Sequence, residues 1–203
     1  MKVSVLGAVY KQTGRRFVPA AVSNRHVHLS RRDLDTLFGT DYELVPMKAL
    51  VQPGQFASSD TVSLAGPKGR IDGIRVLGPV RGNTQVEISL TDSFTVGIEP
   101  VIRMSGDLEG SPGARLITKR GSIELKYGVL IAARHLHVSV EQAKMLDLKN
   151  GQSVSLKKAG EREITFGNFI VRSGPAHELE AHIDRDEANA AMICDGEYLE
   201  IIA

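Results

Sequence analysis

The sequence has little of what disulfide-stabilised, nucleic-acid-binding or membrane-spanning proteins need. Its 203 residues include one cysteine and no tryptophan, and 25 Lys and Arg against 24 Asp and Glu give a formal net charge of +1. One cysteine excludes an internal disulfide and a four-cysteine zinc module. The charge balance argues against nonspecific nucleic-acid binding. No apolar run reaches the roughly 20 residues that a transmembrane helix requires. Any metal therefore has to be held mainly by histidine.

The N-terminal stretch does not resemble a signal peptide. The apolar run at residues 3–10 is short, lacks a small-residue cleavage site and leads into Lys11, Arg15 and Arg16. Its apolar positions mix helical and strand periods, and Gly7 interrupts them, so we expect a first β-strand here. Export is not expected.

Six histidines stand out in this composition, and four of them belong to an internal repeat. The segment RHVHLS at residues 25–30 returns as RHLHVS at residues 134–139. Aliphatic runs at residues 17–22 and 127–132 precede the two copies and predict strands. A capping pattern follows each copy and predicts short helices, with starts and expected stops at Ser30 and Gly39, and at Ser139 and Gly151.

The repeat continues further along the chain. Each half carries a potential metal ligand on a later predicted strand, Glu87 in the first half and His182 in the second. Each ligand precedes a Ser or Asp cap, which predicts another helix. The sequence has neither the glycine motif of dinucleotide-binding folds, GxGxxG, nor the phosphate-loop motif, GxxxxGK(S/T).

Most of the remaining chain predicts short strands punctuated by Gly and Pro, which favours a mainly β fold with a few short helices. Residues 105–113 are rich in turn formers and predict a linker or a long loop. The predicted strands lie at residues 61–64, 73–77, 85–90, 94–98, 153–156 and 163–171.

The two HxH pairs predict metal sites. On a strand, residues i and i+2 face the same side, so His26 and His28 can aim at one point, as can His135 and His137. A ligand set of His nitrogens and carboxylate oxygen suits zinc best, and three protein ligands leave a position open for chemistry. His177 has no counterpart in the repeat and is placed outside both groups.

Together with GPVRGNTQVE at residues 78–87 and EAHID at residues 180–184, these motifs resemble the PduL-type phosphate acyltransferases over nearly the whole chain. The resemblance implies a reversible exchange of an acyl group, propanoyl or acetyl, between acyl-CoA and inorganic phosphate. It also implies two small β-barrels from the duplication, capped by short α-helices, with two metal ions, zinc favoured, in an active site in the cleft between them. The implied domains are residues 25–132, and residues 1–24 together with 133–203.

The same resemblance implies roles for individual residues. One metal ion would be held by His26, His28 and Glu87, and the other by His135, His137 and His182. Arg81 would bind phosphate and act in catalysis. Coenzyme A would contact Val22, Ser23, Asn24, Lys68, Arg75 and Asn189. The cysteine, Cys194, is expected to pack on a helix that starts at Asp184, and the reaction needs no side-chain nucleophile.

Two other functions stay open at this point. The same ligands suit a dinuclear zinc hydrolase, in which a metal-bound hydroxide attacks the substrate. They also suit a non-catalytic module in which metals clamp two β-barrels. Acyl-CoA and phosphate are the expected partners, without nucleic acid or membrane, and a homo-oligomer and co-assembly in a bacterial microcompartment are both compatible with the resemblance. The expected location is the cytoplasm or the microcompartment lumen.

Overall fold

The computed structural model describes residues 3–202, which divide into two compact units. Unit 1 contains residues up to 23, residues 51–53 and residues from 133 onward, and unit 2 contains residues 24–50 and 54–132. The helices are α1 (Val3–Thr13), α2 (Arg31–Phe38), α3 (Leu90–Val96), α4 (Val140–Met145) and α5 (Arg185–Ala191). The strands are β1 (Arg16–Ser23), β2 (His26–His28), β3 (Pro46–Ala49), β4 (Phe56–Ala65), β5 (Arg70–Gly78), β6 (Gln85–Glu87), β7 (Ile102–Arg103), β8 (Ala114–Ile117), β9 (Ser122–Leu125), β10 (Val129–Ala132), β11 (His135–Val138), β12 (Ser153–Lys158), β13 (Ile164–Ser173), β14 (Glu180–Asp184) and β15 (Tyr198–Ile202).

Unit 1 is built on a closed barrel. Its strands follow the order β1, β14, β11, β13, β12 and β15, and β15 returns to pair with β1. The pairs β1–β14 and β11–β13 are parallel, and the others are antiparallel. Alternate residues of each strand point inward, and the fully buried members of this core include Val18, Leu136, Leu156, Phe169 and Leu199.

Unit 2 is built on one nine-stranded sheet that curls into half a barrel. The strand order is β7, β10, β6, β2, β5, β4, β8 and β9, and β3 pairs with β4. A second hydrophobic core packs within this unit, with Val27, Leu64, Val76, Val86 and Leu116 fully buried. The mainly β fold with short helices is confirmed. None of the helices formed by residues 3–202 has the length and apolar character needed to span a bilayer.

The predicted helix starts are confirmed. The Ser30 hydroxyl accepts a hydrogen bond from Asp33 N at 3.1 Å to begin α2, which ends at Gly39 with φ of 114°. Reciprocal capping boxes begin α3, α4 and α5 at Ser89, Ser139 and Asp184. These caps define the residues at which each strand with predicted metal ligands leads into the following helix.

The predicted stop at Gly151 is wrong, because α4 already ends at Met145 with Leu146 as its C-cap. Leu146 and Leu148 are both buried in the core of unit 1. Residues two apart do not share one face of a helix, so the chain leaves the helical conformation to bury both leucines.

The expected first strand is also wrong, because residues from Val3 onward form helix α1; Met1 and Lys2 lie outside the described residues. Leu6 is buried in the core of unit 1, and Tyr10, one helical turn later, packs against the same core. Gly7 does not interrupt the helix. It lets α1 lie against the side chain of Met145, since a Cβ on residue 7 would lie 2.3 Å from Sδ of Met145. Packing against the core of unit 1 therefore favours a helix over a strand at these residues.

The strand predicted at residues 94–98 is wrong as well. The capping box at Ser89 starts α3, and the helix continues to Val96 before Gly97 ends it with φ of 74°. Val96 and Ile98 are buried, whereas Phe94 is 69% exposed. The alternation of apolar residues at 94, 96 and 98 therefore does not reflect one buried strand face.

Candidate metal sites

The first candidate site lies in unit 2, where β2 pairs antiparallel with β6. The register sets His26 directly opposite Glu87, and Nε2 of His26 lies 3.5 Å from Oε2 of Glu87. The rings of His26 and His28 meet edge to face with centroids 5.2 Å apart. All three side chains are buried, and their ligand atoms lie within 4.8 Å of one another. We call this group the unit 2 triad.

The second candidate site repeats this arrangement in unit 1. Strand β11 pairs antiparallel with β14, so that His135 stands opposite His182. The two rings stack with centroids 4.6 Å apart, and the ring of His137 meets that of His182 edge to face at 5.0 Å. The three ligand atoms again lie within 4.8 Å of one another. We call this group the unit 1 triad.

Hydrogen bonds fix the ring nitrogens that each triad can offer. Nδ1 of His26 lies 2.9 Å from Asn24 O, and Nδ1 of His135 lies 2.8 Å from Ala133 O. A carbonyl only accepts, so each Nδ1 carries the proton and each Nε2 keeps a lone pair. The buried imidazole nitrogens that have no hydrogen-bond partner within residues 3–202 are Nδ1 of His28, Nδ1 of His137 and Nε2 of His182. Buried ring nitrogens without a partner are costly, and a divalent cation would satisfy them, so both triads fit a metal ion.

The electrostatic environment keeps the central histidines neutral. Burial lowers the pKa of His28 to about 3, and repulsion by His26 and by the Arg81 guanidinium adds to this. Burial lowers the pKa of His137 to about 2, with further repulsion from neighbouring imidazoles and from Arg172. A neutral imidazole is the form that binds a metal ion. Both histidines therefore have the protonation state of a ligand at neutral pH.

An arginine–acid clamp stands beside each triad. In unit 2, Arg25 Nε donates to Asp92 Oδ2 at 3.0 Å, and in unit 1, Arg134 Nε donates to Glu187 Oε1 at 2.5 Å. Each acid is the third residue of the helix that follows the third-ligand strand, and it also closes that helix's capping box. The arginine of each RHxH motif thereby ties the start of one ligand strand to the end of the other.

Gln85 and Ser105, for which no role was expected, lie beside the unit 2 triad. Gln85 Nε2 donates to Glu87 Oε1 at 2.6 Å and to Ser105 Oγ at 2.8 Å. Arg81, predicted to bind phosphate, donates from Nη1 to the same Ser105 hydroxyl at 3.4 Å. The turn-rich segment at residues 105–113 is a loop within unit 2, and its first residue reaches this polar cluster.

The unit 1 triad has its own polar neighbours. Oε2 of Glu180 lies 3.2 Å from Nε2 of His182 as a charge contact, not a hydrogen bond, and accepts a hydrogen bond from Gln52 Nε2 at 3.0 Å. Burial alone would raise the pKa of Glu180, but His182 and Gln52 together hold that pKa below its usual value. The ring of His177 stacks at a tilt on that of His137, with centroids 4.3 Å apart, and lies outside the group of ligand atoms.

The residues predicted to contact coenzyme A lie in both units. In unit 1, Val22 and Ser23 end β1 beside Ile183 and Asp184 of β14, and Asn189 is exposed on the helix that follows. In unit 2, Asn24 is exposed, Lys68 is exposed between β4 and β5, and Arg75 lies next to His26 in the register of β5 with β2. The guanidinium of Arg75 donates to the carbonyls of Ser58 and Ser59 at 3.0 and 2.9 Å.

The expectation for Cys194 is wrong. Helix α5 begins after Asp184 as predicted but ends at Ala191, and Cys194 is exposed beyond it. Met192 takes a left-handed conformation that terminates the helix, and Ala188, Ala191 and Ile193 are buried in the core of unit 1 whereas Cys194 is not.

Comparison with known proteins supplies the class and the family. Residues 19–194 match the family model described as phosphate propanoyltransferase. Curated relatives with that description include proteins from Thermotoga maritima, 50% identical over 89% of this chain and 87% of the relative, and Rhodobacter capsulatus, 50% identical over 88% and 83%. The protein of Salmonella typhimurium is 46% identical over 93% of this chain and 90% of its own. A mainly β fold with this degree of similarity defines the protein as an acyltransferase. The chain belongs to the phosphate propanoyltransferase family.

Proposed function

We propose that the protein exchanges an acyl group, propanoyl or acetyl, between acyl-CoA and inorganic phosphate, and that each triad holds one divalent metal ion, with zinc favoured. The main support for the proposed metal centres is the set of buried ring nitrogens that have no hydrogen-bond partner within the described chain. These nitrogens converge with a carboxylate in unit 2 and with a third imidazole in unit 1. Histidine and carboxylate ligands suit zinc, and three per ion leave a position open.

In the proposed reaction, a phosphate oxygen forms a bond to the acyl carbonyl carbon, and the carbon–sulfur bond of the thioester breaks. Coenzyme A leaves as a thiolate that takes up a proton, and acyl phosphate is the other product. The triads would hold the divalent ions, whose Lewis acidity would stabilise the negative charge on the carbonyl oxygen and on the departing sulfur. No covalent acyl-enzyme is part of the proposal.

The chain's own residues have to place two anionic substrates. Arg81 carries a guanidinium that suits two-pronged binding of phosphate, and its contact with Ser105 limits the directions in which it points. The proposed contacts for coenzyme A are Arg75, Lys68 and Asn24 in unit 2, and Val22, Ser23 and Asn189 in unit 1. The proposed location is the bacterial cytoplasm or a microcompartment lumen.

The test follows thiol release from propanoyl-CoA with and without phosphate, alongside the metal content of the purified chain. We expect release that depends on phosphate, with an equal amount of acyl phosphate trapped as hydroxamate and metal bound at both triads. Release without phosphate would support a hydrolase instead. Absence of release from a chain that binds metal would support a structural module.

A further inference from the structure

Each triad has a polar side chain two residues before its third ligand. In unit 2 this residue is Gln85, two before Glu87 on β6, and in unit 1 it is Glu180, two before His182 on β14. Residues i and i+2 of a strand point to the same face. The antiparallel registers set both residues opposite the second histidine of the HxH pair. The duplication thus gives each third ligand a neighbour at an equivalent position.

The two neighbours differ in chemistry, and each complements its own ligand. The carboxylate of Glu87 receives a hydrogen bond from the amide of Gln85 at 2.6 Å. The imidazole of His182 instead has the carboxylate of Glu180 at 3.2 Å from Nε2. The carboxylate ligand receives a hydrogen bond, and the nitrogen that His182 offers to a cation has a negative charge beside it.

A glutamine amide of fixed orientation holds each arrangement in place. Oε1 of Gln85 accepts from the backbone N–H of Gly106 at 2.8 Å, so that its Nε2 faces the ligand carboxylate. Oε1 of Gln52 accepts from the backbone N–H of Glu178 at 3.2 Å, so that its Nε2 faces Glu180. Both glutamines are almost fully buried. Because the backbone donors occupy each Oε1, neither amide can turn over without losing a hydrogen bond.

We propose that Gln85 is a positioning residue for the ligand Glu87, and that Glu180, held by Gln52, places a negative charge beside the nitrogen that His182 offers to a metal ion. The inference rests on the proposed metal centres and concerns how the chain prepares them. Groups that orient a metal-binding side chain typically contribute about 10- to 100-fold in metal affinity. The negative charge of Glu180 also favours a cation at the neighbouring imidazole.

The test measures zinc affinity at one triad at a time in the full chain, by competition with a chromophoric chelator. A His28→Ala background reports the unit 1 triad, and a His137→Ala background reports the unit 2 triad. Glu180→Ala should weaken zinc binding about 10- to 100-fold at the unit 1 triad and leave the unit 2 triad within about twofold. Gln85→Ala should do the reverse.

Two conservative variants, and a third at Gln52, keep the test decisive if an alanine variant of Glu180 or Gln85 folds poorly. Glu180→Gln keeps the shape and an acceptor but removes the charge, and Gln85→Met keeps the length but removes the donor. Gln52→Ala should weaken the unit 1 triad in the same direction as Glu180→Gln. Glu163→Gln is the matched control, because its carboxylate is 55% exposed and pairs with Lys157.

A purely structural role predicts another pattern, in which the melting temperature of the metal-free chain falls while zinc affinity is unchanged. Unchanged affinity at the affected triad, or equal loss at both triads, would overturn the inference while zinc binding by the wild type still supports the proposed function. Absence of zinc binding by the wild type would refute the metal centres and this inference together.

Discussion

Replacement of Glu187 tests the clamp that holds the unit 1 triad. Oε1 of Glu187 accepts from Arg134 Nε at 2.5 Å, and Oε2 accepts from Asp184 N at 3.0 Å. The side chains of Arg134 and Glu187 are 30% and 20% exposed, so solvent only partly screens the ion pair. Glu187→Gln keeps an oxygen for the cap and removes the charge, whereas Glu187→Ala removes both contacts.

The expected magnitudes follow from these two contacts. Exposed ion pairs contribute roughly 0.2–1 kcal/mol, and this pair belongs near the upper end because both partners are largely buried, so Glu187→Gln should destabilise the chain by about 1 kcal/mol. The capping hydrogen bond contributes about 1 kcal/mol more. Glu187→Ala should therefore cost about 2 kcal/mol.

The assay is urea unfolding of the metal-free chain followed by far-UV circular dichroism, with hydrogen exchange of peptides from β11 and α5 to localise the change. Glu163→Gln is the control and should shift the free energy of unfolding by less than about 0.5 kcal/mol. If Glu187→Gln behaves like this control, or if Glu187→Ala costs no more than Glu187→Gln, the clamp does not have the assigned energetics.

Four other substitutions give simpler tests. His137→Ala should lower zinc content by one equivalent and abolish phosphate-dependent thiol release; an active variant without that metal would contradict the role of the unit 1 triad. Arg81→Lys should raise KM for phosphate at least about tenfold because a two-pronged contact is lost, while KM for coenzyme A is unchanged, and equal rises in both would argue against phosphate binding. Cys194→Ala should leave turnover within about twofold, and complete loss with metal still bound would indicate a covalent acyl-enzyme. Burial alone would raise the pKa of Asp60, but hydrogen bonds from Ser58, Tyr42 and Val45 N hold it below its usual value. The stability that Asp60 adds over an Asp60→Asn variant should thus be present above pH 4 and be lost as the pH falls through the folded-state pKa, measured by urea unfolding at several pH values.

The sequence predicted the triads because their geometry is local. An HxH pair on a strand presents both imidazoles to one face whatever the rest of the fold does, and the RHVHLS and RHLHVS repeat marks both strands. Glu87 and His182 were found through their matching places in the repeat. The registers of His26 with Glu87 and of His135 with His182 bring them opposite their partners.

The errors arose where long-range packing decides the local structure. The apolar positions at residues 3–10 do not follow one helical period, so the sequence alone does not predict α1. The close contact of Gly7 with Met145 favours the helix, and no local pattern marks that contact. The contact between Gln52 and Glu180 joins residues far apart in the sequence, and no motif marks it. Gln85 could have been found, since it shares a strand face with Glu87 and lies two residues before it.

The charge of each candidate site follows from how the two halves of the repeat diverged. The unit 2 triad contains a carboxylate, and the cationic Arg81 lies close enough to lower the pKa of His28. The unit 1 triad contains imidazoles alone, and both the anionic Glu180 and the cationic Arg172 influence its histidines. In each site an acidic and an arginine side chain of opposite charge lie near the imidazoles, so that a bound divalent ion would keep most of its charge. In the proposed reaction, a chain with a net charge of +1 would in this way concentrate positive charge beside two anionic substrates. Glu87 supplies the acid from within the ligand set of unit 2, and Glu180 supplies it from a position beside the ligand set of unit 1.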